Sequence, residues 1–151
     1  MWFCQQLDQI LLMDRIFTFI SDRHIGLLRV VASVFPISYH CYCIQHLKVN
    51  LKEKFCGSDK LLRVKVVGLF LDCVHALTEF LFESYMKEPK SVGGTKVERF
   101  LSYLPFHHWT NVHFKGNRYG DCSSNDAESF NSWIIEARQL PITDLVDKVR
   151  Q

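Results

Sequence analysis

The stretch from Arg15 to Phe55 constrains the fold most, because it reads as strand, helix, strand, helix with short links. "RIFTFIS" (15–21) is β-branched and aromatic with few polar residues, the composition of a strand covered on both faces. "DRHIGLLRVVASVF" (22–35) puts Leu27, Leu28, Val31, Val34 and Phe35 on one helical face, and Pro36 ends it. "SYHCYC" (38–43) predicts a second short strand, and "IQHLKVNLKEKF" (44–55) a basic amphipathic helix. Two strands joined through a helix form a βαβ unit, which implies a parallel pair. Ahead of this unit, Cys4, Leu7, Ile10 and Leu11 have helical spacing within "CQQLDQILLMD" (4–14).

Beyond residue 57 the pattern changes. Residues 58–88 carry helical periodicity with no convincing strand. "PKSVGG" (89–94) predicts a loop from its Pro, Ser and Gly content, and "TKVERFLSYLP" (95–105) a short helix. Residues 106–126 are loop-rich, with many aromatics and histidines. "AESFNSWIIEARQ" (127–139) predicts a helix, and "LPITDLVDKVR" (140–150) another, with Pro141 near its first turn.

Composition bounds the function. At 151 residues and 48% apolar, the chain fits one globular domain with a sizeable core. The formal net charge of +2 is spread along the chain in both signs, so it gives no broad electrostatic footprint for nucleic acid or a membrane surface. The longest apolar runs, "VVASVF" and "VVGLFL", are far too short to span a bilayer, and no membrane partner is expected. Six cysteines with no secretory signal ahead of them read as reduced thiols in a cytosolic or nuclear protein.

Four places offer chemistry. Asp22 ends the first strand, where open α/β sheets place their ligands; it reads equally as a metal-binding carboxylate or as a helix N-cap. Cys43 and His46 form a C-x-x-H pair on one helix face. A zinc site there would recruit Cys41 or Cys56, whereas the plainer reading is a buried thiol beside a half-exposed imidazole. His107, His108 and His113 lack a recognised ligand spacing. Finally, "SSNDAESFN" (123–131) sets Glu128 at the start of a helix between Asn125 and Asn131. Asn125 can cap that helix, and Asp126 and Glu128 suit its positive end.

Taken together, "TFISDRHIGLLRVVASVFP", "HCYCIQHLKVNLKEKF" and "RYGDCSSNDAESFNSWIIEARQLPI" closely resemble, in order and spacing, the transposase domain of plant Mutator-like elements. The resemblance runs over essentially the whole chain, and the S-D-R, C-x-x-H and S-N-x-x-E-S-F-N segments carry it jointly. It implies a ribonuclease-H-like fold in which two aspartates and a glutamate hold two divalent ions, Mg²⁺ or Mn²⁺. By position, Asp22 matches the second aspartate and Glu128 the glutamate, so both are the expected catalytic and metal-binding residues. Cys43 and His46 match the family's C-x-x-H motif near the active site, and Asn125 and Asn131 flank the glutamate.

The implied fold class is α/β: a partial ribonuclease-H-like core with a mainly α-helical insertion. Residues 1–56 form the second half of the core, 57–120 the insertion, and 121–151 the glutamate-bearing helix and the helix after it. The family's first three strands and first aspartate lie upstream of this region. Asp8 and Asp14 fall in the helix before "TFISD" and do not replace that aspartate. The resemblance therefore implies a truncated transposase fragment, inactive alone, whose intact relatives cut and join transposon DNA in the nucleus. An alternative is a non-catalytic, domesticated nuclear interaction protein that self-associates through an exposed sheet edge or the insertion helices.

Overall fold

The computed structural model describes residues 2–11, 15–120 and 122–150. The two short strands form as expected. β1 (Thr18–Ser21) pairs in parallel with β2 (Tyr39–Tyr42), with Thr18 opposite Tyr39 and Ser21 opposite Tyr42. Helix α2 (Ile25–Val34) makes the crossover and buries Val31, and Phe35 closes its C-terminal end. All four β1 residues are only half-buried, which corrects the expectation of a strand covered on both faces. Among the described residues the sheet has just these two strands, so each has an unpaired edge.

The mass of the protein is helical. Helix α1 (Trp2–Ile10) buries only Cys4, and Ile10 points to solvent. Asp8 lies on this helix, while Asp14 is outside the described residues. Helix α3 (Ile44–Lys54) follows β2 and buries Ile44, Leu47 and Leu51, the 3-4 spacing of a core-facing stripe. Helices α4 (Lys60–His75) and α5 (Glu79–Ser102) pack antiparallel as a hairpin and supply most of the core. Trp109 is fully buried among them. It stacks on Phe70 at 5.1 Å between ring centroids and donates its indole N–H to the Leu104 carbonyl at 3.3 Å. A buried indole needs such a partner to avoid an unsatisfied donor.

Three boundaries differ from the sequence reading. The apolar periodicity of 58–88 is continuous, yet the chain turns between Ala76 and Thr78. Thr78 starts α5 by accepting the Leu81 N–H on its hydroxyl at 3.3 Å. "PKSVGG" is not a loop: Pro89 is buried inside α5, and the only break in that helix is Gly94, at φ 56° and ψ −149°. Only glycine adopts that backbone without strain. Lastly, helix α6 (Asn125–Trp133) gives way at Ile134 to a turn and a 3₁₀ segment, Ala137–Gln139, ahead of α7 (Ile142–Arg150). No residue of α6 is buried, so no packed face prolongs it.

The described residues are thus mixed α/β and mostly helical, built on one parallel strand pair. Among them, no helix is long and apolar enough to cross a membrane.

Candidate functional site at the carboxyl ends of the strands

The site begins with the strand pair. Because β1 and β2 run in parallel, the residues that follow them leave the sheet side by side. The Cys43 N–H continues the ladder by donating to the Ser21 carbonyl at 2.7 Å. Asp22 comes directly after β1 and Cys43 directly after β2. Asp22 is exposed, and its carboxylate accepts the His24 N–H at 3.3 Å. That is an Asx turn; the helix N-cap itself is His24, so the capping role considered for Asp22 falls two residues short.

Cys43 is the N-cap of α3 and His46 lies three residues on, so both side chains gather at the start of that helix. Residues 111–120 and 122–124 bring the final acidic helix to the same place. Arg118 anchors it, donating to Cys41 Sγ at 3.2 Å and to Asn111 while lying over the Phe114 ring. Gly116 lets the segment press on β2, since a Cβ there would stand 2.5 Å from the Tyr39 ring. The Cys122 carbonyl then accepts the Ile44 N–H at 2.8 Å, which satisfies one of the orphan donors at the head of α3.

Ser124 completes the junction. Its backbone N–H and its hydroxyl lie 3.3 and 3.2 Å from Cys43 Sγ, and the hydroxyl is 2.9 Å from Glu128 Oε1. One hydroxyl hydrogen serves the sulfur or the carboxylate at any instant. Ser124, not Asn125, occupies the N-cap of α6, and it makes no side-chain cap bond because its hydroxyl is turned to Cys43 and Glu128. Asp126 and Glu128 do fall in the first turn of α6. Asn125 and Asn131 are exposed, three residues to either side of Glu128 along the same helix face.

Glu128 Oε1 stands 3.7 Å from His46 Nδ1. Cys43, His46 and Glu128 each offer one ligand atom, all within 4.8 Å of one another. The Cys43 sulfur raises the His46 pKa, partial burial opposes it, and Glu128 and Asp22 add to the rise. Burial pushes the Cys43 thiol up, but the Ser124 and His46 contacts together outweigh it and bring the thiol below its ordinary value. Asp22 and Glu128 therefore act on one imidazole from two different elements.

A cationic groove of about 510 Å³ lies beside the strand ends. It is lined by Arg23, Lys54, Lys96 and Arg99, with Phe100 and Tyr103 as its aromatic wall. Arg23, next to Asp22 in the chain, also lowers the Tyr42 pKa against the upward push of burial. The even spread of charge along the sequence conceals this convergence.

The three loop histidines do not converge as ligands. His108 donates from Nδ1 to the His40 carbonyl at 2.6 Å and stacks on Tyr42, pinning the loop to β2. His113 contacts Glu79 at 3.2 Å and Thr110 at 2.9 Å. Burial lowers the His107 pKa, and His108 adds to the shift. Cys56 is exposed and Cys41 is engaged by Arg118, so neither joins Cys43 and His46 as the sequence suggested. All six cysteines are thiols rather than disulfides. Compared with family models, with curated proteins and with solved structures, the chain matches none.

Proposed function

We propose that residues 1–151 are part of a DDE-type transposase domain of the Mutator-like kind, a nuclear DNA-binding unit with a partial ribonuclease-H-like core. The observation that carries this reading is the placement of Asp22 at the carboxyl end of β1 and of Glu128 beside His46 at the head of α3, with a four-cation groove that includes Arg23. Carboxylates from a strand end and from a late helix are the donors that a phosphodiester-cutting site requires. The groove suits the phosphate backbone, which Lys and Arg neutralise regardless of sequence.

Asp22 and Glu128 would hold Mg²⁺ or Mn²⁺, since hard cations prefer carboxylate oxygens. When bound, such an ion lowers the pKa of an attacking water or 3′-hydroxyl. The chain's own residues do the positioning. Arg23, Lys54, Lys96 and Arg99 seat the duplex, and Ser124 orients the Glu128 carboxylate through its hydroxyl. Two carboxylates hold a metal pair poorly, so these residues by themselves are expected to bind DNA without cutting it.

Isothermal calorimetry with Mg²⁺ and Mn²⁺ tests the carboxylate pair. Weak binding that disappears in both Asp22→Ala and Glu128→Ala supports it. Binding that survives both substitutions, or none in a chain with a native circular-dichroism spectrum, removes it. A second reading, a non-catalytic interaction protein, is favoured by the apolar side chains that the helical hairpin exposes, Leu61, Leu77 and Phe80, each more than 70% exposed. Sedimentation equilibrium separates the two: a defined dimer that Leu77→Lys with Phe80→Lys dissociates supports self-association as the role, and a monomer removes it.

A further inference from the structure

The three donors nearest one another at the strand ends are not the set a hard cation prefers. A Cys43 sulfur, a His46 ring nitrogen and a Glu128 oxygen lie within 4.8 Å of one another. Ligands around a tetrahedral zinc, with bonds of about 2.0–2.3 Å, stand roughly 3.3–3.8 Å apart. A nitrogen and an oxygen fall at the short end of that range, and His46 Nδ1 and Glu128 Oε1, at 3.7 Å, need to close by only a few tenths of an ångström to reach it. Nδ1 is shielded from solvent and has no hydrogen-bond partner of normal geometry outside the cluster, its neighbours being the Glu128 carboxylate and the Cys43 sulfur. The sulfur is supported as metal thiolates are: the Ser124 N–H donates to it from 3.3 Å, and the Ser124 hydroxyl, shared with Glu128, lies 3.2 Å away. Cys43 also sits at a helix N-terminus, where a thiolate is favoured.

We propose that Cys43, His46 and Glu128 form a three-ligand site for a zinc-class transition-metal ion, with the fourth position open to water. A thiolate and an imidazole select such an ion over Mg²⁺. Binding displaces the thiol proton of Cys43 to solvent and engages Glu128 Oε1, so it draws on the same carboxylate that the Mg²⁺ reading uses. The proposal rests on side-chain geometry and stands whether or not the chain derives from a transposase.

Cobalt(II) is the probe, titrated into the reduced, full 151-residue chain. The expected result is one equivalent bound, with a thiolate-to-cobalt charge-transfer band in the near ultraviolet that Zn²⁺ bleaches and excess Mg²⁺ does not. Cys43→Ser abolishes the band. Outer-shell losses cost about 10- to 100-fold in metal affinity, so Ser124→Ala is expected to fall in that range and Glu128→Gln at or beyond its upper end. His46→Ala, at a half-exposed position that does not endanger folding, weakens binding at least as much as Ser124→Ala. The proposal is overturned if the folded wild type shows no band, if the band persists in Cys43→Ser, or if His46→Ala binds like wild type. The three refuting outcomes are read from cobalt alone, without DNA or magnesium, so failure here leaves the proposed function to its own calorimetric test.

Discussion

The cationic groove gives the DNA-binding reading a quantitative form. Four cations, Arg23, Lys54, Lys96 and Arg99, line one cavity beside Asp22. Lys96 also lies 5.5 Å from the centre of the Phe55 ring, a cation–π contact that restrains its ammonium. If each cation displaces one condensed counterion from B-DNA, the plot of log K against log salt has a slope of about −3.6. Raising monovalent salt from about 50 to 200 mM then weakens binding by roughly 150-fold. Removing Lys96 and Arg99 together halves the phosphate contacts. The slope should relax to about −1.8, and the same salt step should cost only about 12-fold. Fluorescence anisotropy on a short labelled duplex measures both slopes directly. A wild-type slope near zero would refute the argument, because the groove would then make no phosphate contact. So would equal slopes in wild type and the Lys96→Ala, Arg99→Ala double variant, because binding would then lie elsewhere.

Two further predictions concern the scaffold that presents the site. Trp109→Ala removes a fully buried indole from between Phe70, Phe82 and Phe106 and leaves the Leu104 carbonyl without its donor. It should cost about 3–5 kcal/mol. At about 2–4 °C per kcal/mol for a chain of this size, the midpoint measured by differential scanning calorimetry should drop by roughly 6–20 °C. Cys73 carries the alkaline limit. Burial, with Asp72 adding to it, pushes its thiol from 9.0 up to about 12, so the unfolded chain loses this proton first. The stabilisation is complete below pH 9 and fades as pH rises toward 12, at about 1.4 kcal/mol per pH unit. Urea titrations at pH 8.5 and 10.5 should show Cys73→Val losing less stability across that interval than wild type; an equal loss in both would count against the assignment.

Much of the strand-end architecture is legible in the residues. "TFIS" is short, aromatic and β-branched, "YHCY" is short and aromatic, and Pro36 closes the helix between them, so the βαβ order that implies a parallel pair is readable locally. The core stripe of α3 is equally plain in Ile44, Leu47 and Leu51. What escapes the sequence depends on contacts that periodicity does not encode. The apolar pattern runs unbroken through Ala76, and only packing decides that the chain reverses there. Pro89 and Gly93 look like loop residues, yet a buried proline remains inside a helix and the break falls on Gly94 alone. The full burial expected of β1 would require a layer on each side of it, and the described residues build only part of one.

The candidate site divides in the same way. The C-x-x-H spacing places Cys43 and His46 together because both lie on the first turn of one helix. That Glu128, 82 residues after His46, joins them follows from a resemblance and not from any local pattern. Ser124 is missed because its neighbour Asn125 reads as the cap of that helix, a position that Ser124 in fact takes. Its hydroxyl instead bridges sulfur and carboxylate, which leaves the helix without the cap its sequence promises.

That junction has an energetic consequence for the helix it begins. With no buried residue in α6, the acidic turn is held by the Cys122–Ile44 bond and the Ser124 contacts with Cys43 and Glu128. Each bond contributes on the order of 1 kcal/mol. The docking of Glu128 is therefore a local equilibrium, shallower than the global stability set by the core around Trp109. Whatever bridges Glu128 to the head of α3 couples these two free energies and makes the chain from Cys122 onward unfold with the rest rather than before it.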